Sequence, residues 1–66
     1  MKRIGEIIEV VFFGDIIQEK IVDYSESHNL YQCAIIGANG SCWRSEEEIV
    51  DMKRRVKEIK NHNKTK

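Results

Sequence analysis

The sequence predicts an α+β domain: a four-stranded antiparallel sheet followed by one C-terminal amphipathic helix (β-β-β-β-α). Three observations carry this. β-Branched and aromatic residues cluster between turn signals over residues 16–44. A Ser45-to-Glu48 capping box opens a segment whose apolar residues recur at helical spacing. The chain is 66 residues long with no proline, the size of one small domain.

The first element, within residues 4–13, admits two readings. Ile4, Ile7, Ile8 and Val11 fit a helical stripe, whereas Val10-Val11-Phe12-Phe13 favours a strand, with Gly14-Asp15 as a two-residue hairpin turn. The strand is the expected form. Ile16 to Tyr24 is the second strand, Ser25-Glu26-Ser27-His28-Asn29 a polar loop, and Leu30 to Ile36 the third strand. Gly37-Ala38-Asn39-Gly40 reads as a tight turn, because Asn and Gly tolerate positive φ. Ser41 to Arg44 then returns as a short fourth strand that delivers the chain to the helix cap.

In the helix, the Ser45 hydroxyl is placed to accept a backbone N–H while the Glu48 carboxylate reaches back to the cap residue. Glu46, Glu47 and Glu48 oppose the positive end of the helix dipole, and Lys57 and Lys60 suit its negative end. Ile49, Met52, Val56 and Ile59 form the apolar stripe, with Lys53, Lys57 and Lys60 in a row beside it. Asp51 with Arg55 and Arg54 with Glu58 make i,i+4 pairs. The domain is expected to span residues 1–60, with 61–66 a disordered basic tail that has nothing apolar to bury.

Zero net charge conceals a split. Residues 1–52 carry four basic and ten acidic side chains, and residues 53–66 carry seven basic and one acidic. This pattern implies an acidic partner for the tail, an acidic surface on the body, or two copies pairing body to tail. Cys33 and Cys42 are too few for a disulfide scaffold and lack metal-ligand spacing. Glu6 and Glu9 interrupt what would otherwise resemble a signal peptide, and Val10-Val11-Phe12-Phe13 is far too short to span a membrane. The expected setting is cytoplasmic, without membrane contact. Ten isoleucines and seven lysines fit an AT-rich bacterial or phage genome.

Two arguments lead to a homodimer. A domain this small buries only about 60% of the surface of its unfolded chain, so its core is marginal. The strands are also apolar on both faces: Tyr31, Cys33, Ile35 against Leu30, Ala34, Ile36, and Ile8, Val10, Phe12 against Ile7, Val11, Phe13. One helix covers one face, and the other requires a partner. A sheet that curls over itself is the alternative.

Catalysis has little to rest on. His28 falls in a loop, Cys33 and Cys42 fall in strands as small hydrophobes, and no nucleophile motif surrounds them. A zinc site from Cys33, Cys42, His28 and His62 lacks the usual short spacings. Gly5, Gly14, Gly37 and Gly40 are spaced as turn residues rather than as a phosphate cradle. Glu46-Glu47-Glu48 reads as a helix start rather than an ion site. No enzyme activity, cofactor or metal is expected. Nucleic-acid binding, by contrast, needs clustered cations and, for single strands, aromatic platforms. Lys53, Arg54, Lys57 and Lys60, with Trp43 and Arg44 just ahead of the helix, are the candidates. A solvated helix face, with Trp43 as a lid on the core, is the competing reading.

The stretch from Gly40 through Cys42, Trp43, Arg44, Ser45 and Glu48 to Ile49, followed by Met52, Val56 and Ile59, resembles the end of the positive-cofactor-four family of single-stranded-DNA-binding coactivators. The resemblance covers the last third of the chain and the order of elements. It implies a dimeric four-stranded sheet plus helix that binds single-stranded or unwound nucleic acid, with Trp43 and Arg44 as the residues carried over. Glu19, Asp23 and Glu26 depart from it, since family members place basic and aromatic residues along those strands. The first functional expectation is therefore a homodimer that binds nucleic acid through Arg44, the helix and the tail. The second is a protein-interaction module or inhibitor of the kind mobile elements encode, whose acidic body occupies a basic site on a host protein.

Overall fold

The chain builds β1 (Ile7–Phe12), β2 (Asp15–Ser25), β3 (Leu30–Ile35), β4 (Ser41–Arg44) and α1 (Glu46–Lys64), in a computed structural model that describes residues 3–64. The strands form one antiparallel sheet in the order β1-β2-β3-β4, each paired with its sequence neighbour. The fold is thus the α+β arrangement expected, with residues 7–12 a strand. No helix among the described residues is long and apolar enough to cross a membrane.

The first hairpin turn is Phe13-Gly14, one residue earlier than the sequence suggested. Phe12 pairs with Asp15, which sets Val10 against Ile17 and Val11 against Ile16. Those apolar cross-strand pairs on both faces favour this register over one that would put Val10 opposite Glu19. Phe13 and Gly14 take φ of 50° and 83°. Positive φ at both central positions belongs to the type I′ turn, whose twist matches that of the flanking strands.

β2 is the spine of the sheet. Its first half pairs with β1 and its second half with β3, and only Glu19 and Lys20 pair with both. A bulge at Val22 changes the alternation: Ile21 stands opposite Cys33, yet Tyr24 stands opposite Tyr31. Ile21 and Tyr24 therefore share one face, and Asp23 is turned to the other. That shared face also holds Ile8, Val10, Ile17, Tyr31 and Cys33, and Ile49 of α1 completes the core. The Tyr24 and Tyr31 rings lie 4.7 Å apart.

Ile21 and Cys33 are fully buried although α1 packs chiefly against β1. The offset pairing and the bulge bend the sheet around this face, so curvature and helix together close it. On the other face, Ile7, Val22, Ile36 and Trp43 remain exposed.

The capping box of α1 forms in both directions. Glu48 N–H donates to Ser45 Oγ at 3.1 Å, and Ser45 N–H donates to Glu48 Oε1 at 2.9 Å. Ile49 and Val56 are buried and Met52 partly so, as the stripe requires. The helix runs through Lys64, one turn past its expected end at Lys60, so residues 61–64 are helical rather than tail. Residues 65 and 66 of the expected tail lie outside the described residues. Arg54 pairs with Asp51 instead of Glu58, and Arg55 pairs with Asp51 as expected.

Candidate functional site

The bend of the sheet gives the molecule two unlike surfaces. The outer face carries Ile7, Val11, Ile16, Leu30, Ala34, Ile36 and Trp43, with Gln18, Gln32 and Ser41 between them and Glu9, Lys20 and Asp23 as its charges. Gln32 Nε2 donates to Ser41 Oγ across β3 and β4 at 3.4 Å, so part of its polarity is satisfied within the face. Trp43 is 48% exposed and borders a shallow cleft with Ser25, His28 and Leu30. It is a rim residue of an open face rather than a core lid.

The second surface is a groove of about 1090 Å³ between β1 and α1. Ile7, Ile49, Val50 and Val56 contribute its apolar lining, and Lys53, Lys57 and Lys60 its basic side. Arg3 closes one end by bridging Glu46 of α1 at 2.7 Å and Glu6 at 3.0 Å. Those hydrogen bonds, Glu46 first and then Glu6, raise the Arg3 pKa and fix its charge.

The six residues expected to contact nucleic acid are divided by this geometry. Arg44 points into the core face, where Nε and Nη2 donate to the two carboxylate oxygens of Glu19 at 2.9 and 3.0 Å. That bidentate contact raises the Arg44 pKa and occupies the Nε–Nη2 edge of the guanidinium. Lys60 reaches Glu9 at 2.8 Å, and Arg54 is paired with Asp51. Lys53 and Lys57 make no ion pair among the described residues. Trp43 stands on β4, at the opposite edge of the sheet from the groove beside β1. No family model, curated protein or solved structure matches this chain.

Cys33 and Cys42 are cross-strand partners next to the Glu19–Arg44 pair, both as free thiols. Burial pushes the Cys33 thiol up to about 11, and the nearby Glu19 charge adds to the shift. Burial likewise raises Cys42, whose Sγ lies 3.6 Å from Glu19 Oε2. Thiols held protonated in this way are poor nucleophiles near neutral pH. His28 sits in the β2–β3 loop with Nδ1 within hydrogen-bonding distance of Ser25 Oγ and Ser27 Oγ. Among the described residues, no three His, Cys, Asp or Glu side chains converge as metal ligands.

Glu19 is the residue whose role the sequence reading missed. The sequence groups it with Asp23 and Glu26 as acidic surface, yet it is 1% exposed. A signal was present: Ile17, Glu19 and Ile21 share the parity of the core face.

Proposed function

We propose that this chain is a small protein-interaction module whose open sheet face seats a second copy of itself. The observation that carries the reading is the uncovered face bearing Ile7, Val22, Ile36 and Trp43, all between 45% and 56% exposed. Exposed apolar side chains gathered on one sheet face mark association sites in soluble proteins. A second copy is the occupant that fits best. A two-fold interface must complement itself, and this face, mostly aliphatic, amide and indole groups, also carries Lys20, Glu9 and Asp23, opposite charges that two copies can set against each other. Help from a partner also suits a core this small.

The nucleic-acid reading has less support, because Arg44 is engaged by Glu19 and Trp43 lies away from the helix cations. The surface favoured here is apolar, whereas the interaction module expected from the sequence was to use acidic side chains. Sedimentation velocity tests the proposal. A dimer mass at tens of micromolar, lost in a Trp43→Glu, Ile36→Glu variant that keeps its circular dichroism, is the expected result. A one-chain mass at hundreds of micromolar overturns it.

A further inference from the structure

We propose that the groove between β1 and α1 takes an extended, acidic segment of a partner protein, which joins the sheet as an added strand along the outer edge of β1. β1 is an edge strand. Phe12 and Asp15 flank a two-residue turn and so form a hydrogen-bonded pair, which places Val10 and Ile8 in the same class by alternation. The main-chain N–H and C=O groups of Ile7, Glu9 and Val11 therefore point away from β2. Val11 N–H donates to Met52 Sδ at 3.4 Å, so α1 caps that end of the edge. Ile7 and Glu9 border the groove itself.

Side chains and charge select the ligand. A strand laid along this edge would direct alternate side chains toward the groove's apolar lining, of which Val50 is the exposed part on α1, while acidic side chains come within reach of Lys53 and Lys57. These two lysines have no ion pair among the described residues, so an acidic segment supplies the missing countercharge. Nucleic acid could neutralise the lysines, but phosphates cannot complete the ladder of donors and acceptors on β1. This surface meets the open sheet face at Ile7 and Gln18, and its occupation is read at the edge amides of β1 rather than from self-association.

The test uses a short labelled peptide alternating valine and glutamate, the same peptide N-methylated on alternate amides, and a short oligodeoxythymidine. Binding is followed by anisotropy and by the amide signals of Ile7 and Glu9. The peptide is expected to shift those amides and slow their exchange with solvent. Lys53→Gln with Lys57→Gln should weaken it roughly three- to tenfold, the range for two exposed ion pairs, and N-methylation should also weaken it. Both lysines are exposed, so the variant keeps the fold. Amides of Ile7 and Glu9 that do not respond at millimolar peptide overturn the proposal. So does oligodeoxythymidine binding through the same lysines in preference to the peptide.

Discussion

Glu19 and Arg44 stand on non-adjacent strands and meet across β3 in a bidentate ion pair, with Glu19 almost wholly buried. The pair ties the spine of the sheet to its far edge beside the start of the helix.

Removing one partner should therefore cost far more than removing both. Arg44→Ala leaves an uncompensated carboxylate in the core and is expected to lower stability by about 3–5 kcal/mol, enough to unfold much of a small domain. Glu19→Leu combined with Arg44→Met should recover most of that loss. Urea melts of the single and paired variants make the comparison.

The buried thiol predicts an alkaline limit. Cys33 is raised from near 9 to about 11 in the fold, so the unfolded chain ionises first as pH rises. The stabilisation is complete below about 9 and is lost progressively toward about 11, at up to about 1.4 kcal/mol per pH unit. Denaturation midpoints across that range should fall, and Cys33→Ala should flatten the fall.

The first hairpin holds an improvable residue. Phe13 is 91% exposed at φ 50°, in a turn that favours Asn-Gly. Phe13→Asn should raise stability by about 1 kcal/mol by relieving backbone strain. Its edge-on contact with Phe12, at 4.5 Å between ring centroids, is the interaction lost. A thermal melt that moves downward would show that contact to outweigh the strain.

Ser45→Ala removes one half of the capping box and should cost about 1 kcal/mol, with helix ellipticity falling alongside stability.

How far the sequence reaches is clear from particular residues. β-Branched and aromatic residues between turn signals marked the strands, the Gly37–Gly40 turn placed the short fourth one, and the Ser45 box marked the start of the helix, because these patterns are local. The turn at Phe13-Gly14 escaped, since register depends on which cross-strand pairs match best. The Val22 bulge escaped for the same reason, and with it the placing of Asp23 outside and Tyr24 inside. Arg44 read as a phosphate ligand because nothing local reveals that Glu19, twenty-five positions earlier, lies across β3 from it.

Because each strand pairs with its sequence neighbour, the sheet can zip through successive short loops, whereas the docking of α1 on β1 joins the two most distant elements of the chain. Contacts such as Arg3 with Glu46 and Lys60 with Glu9 then form late. Substitutions there should quicken unfolding while leaving the refolding rate nearly unchanged, so the lifetime of the native state is governed at the seam between the first strand and the helix.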